Sequence, residues 1–120
     1  MIITIPFKTP SINHLYGQNG VRKYLKPEAK KLRQEIIEIV KNYPGDIHLS
    51  NHLRVTVDLY ENWYTKKGTI KRVDAANREK FLIDSVFEGL LLDDKYIFEH
   101  TMRKIQSAEE KAVITIEVLR

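Results

Sequence analysis

Hydrophobic and polar positions alternate most cleanly in the middle of the chain. Leu53, Val55, Val57 and Leu59 are separated by Arg54, Thr56 and Asp58, the period of a strand with one buried face. Ile2 to Ile5 is a shorter β-branched run, stopped by Pro6, and reads as a first strand. Elsewhere the period changes. Ala29, Leu32, Ile36, Val40 and Tyr43 recur three and four apart, with Lys30, Lys31, Glu35 and Glu38 between them. That is one face of a helix, opened by Pro27 and ended by Pro44-Gly45. Leu82, Val86 and Leu90 line up in a second helix, predicted over about Ala75 to Glu88 with Gly89 near its end. Tyr96 to Ile105 reads as a strand. Ala112, Ile114, Ile116 and Val118 mark a last one, and the segment Gln106 to Glu110 suggests a hairpin between the two. Pro10 to Gly20, rich in Asn and Gly, is expected to be an irregular loop. The summed order, β-α-β-α-β-β, predicts an α+β fold: a two-layer sandwich of a small mixed sheet with two helices on one side.

The chain has 120 residues, which fits one domain over 1–120. A chain of that size buries roughly two-thirds of its unfolded surface, so a core forms without staples. Cysteine is absent, which excludes disulfides, thiolate metal sites and a cysteine nucleophile. No apolar run approaches the roughly 20 residues that span a bilayer, and Met1 to Ile5 lacks the pattern of a signal peptide. A cytoplasmic protein with no membrane partner is expected. The formal charge is +4, compatible with a polyanionic partner. Its placement matters more than its size. Arg22, Lys23, Lys26, Lys30, Lys31 and Arg33 cluster around the single acid Glu28, and Lys66, Lys67, Lys71 and Arg72 run up to Asp74. Each group suits phosphate contacts; each equally suits a solvated face.

Acidic residues bracket the second helix: Asp74 before it, Asp93 and Asp94 after it. The intervening helix would be about 20 Å long, so these carboxylates meet only if the chain doubles back through residues 89–92. Two readings stand open here. Asp74 is an N-cap and Asp93-Asp94 a solvated turn, or the three acids share a metal site. His48 and His52 lack the helical setting and acidic partner of a zinc motif, and no glycine-rich phosphate loop or nucleophile elbow is present.

Three motifs in order resemble the RusA family, small dimeric resolvases of bacteria and their phages. Pro10-Ser11-Ile12-Asn13-His14-Leu15-Tyr16 is similar to its P-S-x-N-x-x-Y start. Asp74-Ala75-Ala76-Asn77, followed by Lys80 and Asp84, resembles its D-x-D-N-x-x-K-x-x-x-D core. Gly89 with Leu92-Asp93-Asp94 matches its G-x-x-x-D-D ending. The resemblance implies a structure-specific endonuclease that resolves Holliday junctions in DNA recombination and repair, using Mg²⁺ or Mn²⁺. It implies that Asp74 and Asp94 ligate the metal, with Asp93 a secondary candidate. Lys80 becomes a catalytic or phosphate-contacting group, and Asn77 and Asn13 become supports. Branched DNA is the implied partner and a homodimer the implied assembly, with Trp63 and Tyr64 near a possible interface. Tyr16 or His14 would meet the bases at a junction centre. The departure is Ala76, where the family carries aspartate. It marks a naturally degenerate homologue or an aspartate-to-alanine replacement; the otherwise kept motif favours the replacement. Either way, impaired cleavage is expected. Two other classes compete: a non-catalytic branched-DNA-binding protein, and a protein-interaction domain whose basic charge is incidental.

Overall fold

A computed structural model describes residues 1–10, 16–20, 22–43, 52–71 and 75–119. Within them run strands β1 (Ile2–Ile5), β2 (Tyr16–Asn19) and β3 (Arg22–Leu25), then helix α1 (Pro27–Val40) and strand β4 (His52–Glu61). Helix α2 (Ala75–Leu90), a 3₁₀ turn (Asp94–Tyr96), and strands β5 (Ile97–Gln106) and β6 (Lys111–Leu119) follow. A mixed sheet of order β1-β6-β4-β5 is antiparallel except for the parallel pair β4/β5. The fold is α+β, as its periodicities predict.

The alternation along β4 does what alternation does. Leu53, Val55, Val57 and Leu59 point into a core shared with Ile3 and Ile5 of β1 and Ala112, Ile114 and Ile116 of β6. Ala29, Ile36 and Val40 of α1, and Phe81, Leu82 and Val86 of α2, complete that core. Each valine, leucine, isoleucine or phenylalanine among them contributes about 1.5–3 kcal/mol by leaving water. The helices touch where Gly89 lies: a Cβ there would stand 3.1 Å from Val40 Cβ and 3.3 Å from Ile37 Cα. Glycine thus sets how closely α1 and α2 approach.

Two local expectations are corrected. Part of the stretch expected to be an irregular loop, Tyr16–Asn19, is a strand paired antiparallel with Arg22–Leu25, turned by Gly20 at φ +64°. Gly17 faces Tyr24 across that pair, and a Cβ on it would strike the Tyr24 ring at 2.4 Å. Glycine here makes room for an aromatic neighbour rather than breaking the strand. Secondly, β5 and β6 are not a hairpin, because β4 lies between them. The connection 107–110 crosses the end of β4, where the Ser107 N–H donates to the Glu61 carbonyl at 3.0 Å. Ion pairs on the open face of the sheet join β4 to β5. Arg54 meets its register partner Glu99 at 2.6 Å, and Arg103 grips its partner Asp58 with a two-pronged contact at 2.5 and 2.9 Å. No helix among the described residues is long and apolar enough to cross a membrane.

Candidate active site

The end of α2 decides whether its flanking acids can meet. Leu91 takes the left-handed conformation, φ 58°. Its N–H donates to the Glu88 carbonyl at 3.2 Å, and the Leu92 N–H reaches back to Phe87 at 2.9 Å. This pair of bonds is a Schellman ending, usually made with glycine. A leucine there carries about 1–2 kcal/mol of steric strain, and with 83% exposure Leu91 recovers little of it by burial. The result is a reversal that turns residues 92–94 back along the helix they have just left. Asp93 then caps the 3₁₀ turn, accepting the Lys95 N–H at 2.9 Å.

Asp94, at the first position of that turn, lines a hollow with Lys80, Ile83, Asp84, Ile97 and His100. A second hollow, bounded by Phe87, Leu92 and Asp93, shares the same two carboxylates, Asp84 and Asp94. Lys80 and Asp84 stand one helical turn apart on one face of α2. Burial pushes the Asp84 carboxyl above its ordinary range, and the charge of Asp94 adds to that; Arg33 and Lys80 pull the other way. Arg33 reaches α2 from α1, 5.6 Å from the Phe81 ring and 3.9 Å from a Glu88 oxygen. His100 on β5, which lines the first hollow, is ion-paired to Glu79, itself 5% exposed.

Two carboxylates beside an open hollow are hard oxygen donors and fit a cation such as Mg²⁺, which keeps most of its own waters. Among the described residues no group of three or more His, Asp or Glu stands close enough to hold a metal. Of the residues expected from sequence, Lys80 and Asp94 come together, and Asp93 sits beside them with one oxygen used in its cap. Asp74, Arg72 and Asn13, and the side chains of Ala76, Asn77, Arg22, Lys23 and Tyr16, lie outside the described residues, as does His14. Lys66 and Lys67 are exposed on a turn and Lys71 is half-buried beside it; Lys30 is exposed on α1 and Lys26 precedes it. Trp63 is 4% exposed, with its indole N–H donating to the Leu59 carbonyl, so it is a core residue; its neighbour Tyr64 is exposed.

Sequence reading gave no site role to Asp84, Glu79 or His100. A signal existed for the first two. Asp84 follows Lys80 at the spacing that shares a helix face, and Glu79 heads the apolar stripe Leu82, Val86, Leu90. A charge on an apolar stripe is a buried charge. His100 carried no such mark.

An α+β domain with clustered carboxylates beside a lysine admits several hydrolytic chemistries, and comparison with known proteins narrows them. Residues 6–117 match the family described as Endodeoxyribonuclease RusA, and the chain belongs to it. Crossover junction endodeoxyribonuclease RusA of Shigella sonnei (strain Ss046) is 26% identical over 104 residues, covering 86% of this chain and 81% of that protein.

Proposed function

We propose that this protein is a metal-dependent DNA endonuclease that acts on four-way junctions in recombination and repair in the cytoplasm. The observation that carries the reading is the shared hollow of Lys80, Asp84 and Asp94, formed by a chain of this family. Asp94 and Asp74 are the proposed ligands of Mg²⁺ or Mn²⁺, with Asp84 and Asp93 beside them. When bound, the cation acidifies water and neutralises charge on the phosphate. Lys80 places a positive charge where the scissile phosphate gains negative charge, so it counts most in the transition state. Lys66, Lys67, Lys71 and Arg72, and separately Arg22, Lys23, Lys26 and Lys30, hold the DNA backbone. Asn77 and Asn13 support the acidic loop. Junction resolution needs two symmetry-related cuts, which an isologous homodimer supplies.

Ala76 offers no oxygen where the family motif has aspartate. The chain as written therefore binds metal weakly and cleaves poorly, while keeping its DNA affinity. Ala76 also favours the second reading, a protein that binds branched DNA without cutting it. Nicking of a four-way junction in Mg²⁺ or Mn²⁺, before and after Ala76→Asp, separates the two. Restoration should raise the rate by tenfold or more, about 1.4 kcal/mol of barrier. No gain would end the nuclease reading of the acidic core.

A further inference from the structure

Between β4 and the acidic loop the chain makes a second, smaller hairpin whose outer face has no role in the chemistry above. Its root is Trp63, buried between the Arg78 guanidinium at 5.2 Å and the Lys104 ammonium at 4.9 Å. The Trp63 N–H is held by Gln106 Oε1 at 2.8 Å and the Tyr64 N–H by Asn62 Oδ1 at 3.1 Å. The arms are paired: Thr65 N–H donates to the Thr69 carbonyl at 2.7 Å, and Lys71 N–H to the Trp63 carbonyl at 2.8 Å. The Thr65 and Thr69 hydroxyls meet at 2.7 Å. Gly68, at φ +81°, closes the Lys66–Lys67–Gly68 tip with its N–H on the Thr65 carbonyl at 2.9 Å. This is a three-residue hairpin loop of a standard kind, with glycine at the position that needs a left-handed backbone.

The two bonds flanking Tyr64 and Ile70 make them a non-hydrogen-bonded antiparallel pair, the kind whose side chains stand closest. Trp63 and Thr65 occupy the opposite face, so Tyr64 and Ile70 are turned outward together. They are 45% and 63% exposed. Exposed Lys66 and Lys67 adjoin them at the tip, while half-buried Lys71, paired with Trp63, belongs to the opposite face. An aromatic and a branched aliphatic side chain, fixed side by side beneath the two ammonium groups of the tip, form a small stacking surface inside a phosphate-attracting field.

We propose that this hairpin is a rigid finger that seats Tyr64 and Ile70 against the exposed base faces at the crossover of branched DNA, while Lys66 and Lys67 at its tip hold the phosphates beside it. The inference rests on the branched-DNA reading given above and adds to it the element that tells a junction from a duplex. The charge argues for nucleic acid over a protein partner. Aromatic and aliphatic groups cover bases at least cost where stacking is already interrupted, as at the centre of an open four-way junction; in a duplex they must first unstack a step. The paired arms leave little freedom to lose on binding, so the contact is pre-organised.

Binding of the intact chain to an immobile four-way junction and to a linear duplex of the same sequence, without divalent metal, tests this. A 2-aminopurine at the crossover reports stacking. We expect Tyr64→Ala with Ile70→Ala to weaken junction binding by about tenfold or more, to leave duplex binding unchanged, and to abolish the 2-aminopurine response. Tyr64→Phe should retain all three. Both positions are on the surface, and an unchanged melting temperature verifies the fold. If the parent prefers the junction and the double variant keeps that preference, the finger is wrong and the function reading survives. If the variant instead changes only the oligomeric state, the pair is a dimer contact and the finger is again wrong. A parent with no preference for junction over duplex overturns both.

Discussion

Glu79 of α2 and His100 of β5 form an ion pair that ties the site's helix to the edge of the sheet. The two partners differ in setting: Glu79 is 5% exposed, whereas the His100 side chain is 42% exposed. Burial raises the Glu79 carboxyl above its ordinary value, and the charge of His100 only partly opposes this. A carboxyl whose folded value lies above its unfolded one takes up protons on folding. Its contribution to stability is complete below the unfolded value and is lost as pH rises through the folded one. Glutamine at this position is neutral at every pH. The melting temperature of Glu79→Gln relative to the parent should therefore improve as pH rises from about 4 to 7, across the carboxylate range. A difference that stays flat over that interval would show that Glu79 ionises as a surface carboxyl does.

Asp84 makes a related prediction with a metal as the probe. Its carboxyl is held up by burial and by the neighbouring charge of Asp94. A divalent cation binds the ionised form, so binding must displace a proton while that carboxyl is protonated. Mn²⁺ should accordingly raise the melting temperature more at pH 8 than at pH 5. At a hundredfold excess over its dissociation constant the gain is about 2.7 kcal/mol. Ala76→Asp should lower the Mn²⁺ concentration needed, and Asp84→Asn or Asp94→Asn should remove the shift. An Asp94→Asn chain that responds to Mn²⁺ as the parent does would place the cation somewhere else.

What the sequence made legible follows from what each pattern encodes. Alternation in β4 and the three-four spacing in α1 report which side of an element is buried, and the core contains Leu53, Val55, Val57 and Leu59 of the one and Ala29, Ile36 and Val40 of the other. Neither reports which strand lies beside which. The adjacency of β4 and β5 is marked on the solvent face by Arg54 with Glu99 and Asp58 with Arg103, pairs of residues about 45 positions apart. A short connection such as 107–110 suggests a hairpin by default, and only those pairs say otherwise. In the site, the motif named Asp94 and Lys80 but not the geometry joining them. That geometry depends on Leu91 adopting a backbone conformation its side chain disfavours, which no propensity would foretell.

Glu61 and Arg78, which no motif singled out, form a buried ion pair. Glu61 ends β4, Arg78 lies in the first turn of α2, and their side chains pair with only 3% and 2% exposure. Lys8 approaches the same carboxylate at 3.5 Å, and the Trp63 ring lies against the guanidinium. Two charges so buried are stable only together. Removing one leaves the other without compensation, which typically destabilises by about 3–5 kcal/mol, whereas replacing both with apolar groups of similar volume is often near neutral. Chemical denaturation of Glu61→Leu, Arg78→Met and the double variant should show two large losses and a double variant more stable than either single. The pair also fixes the start of α2, immediately after residues 75–77 of the acidic motif. In an Ala76→Asp background the double variant should thus lose cleavage rate by about tenfold while its junction affinity, measured without metal, changes little. Equal loss of affinity and rate would mean that the pair maintains the fold as a whole and does not position the acidic loop.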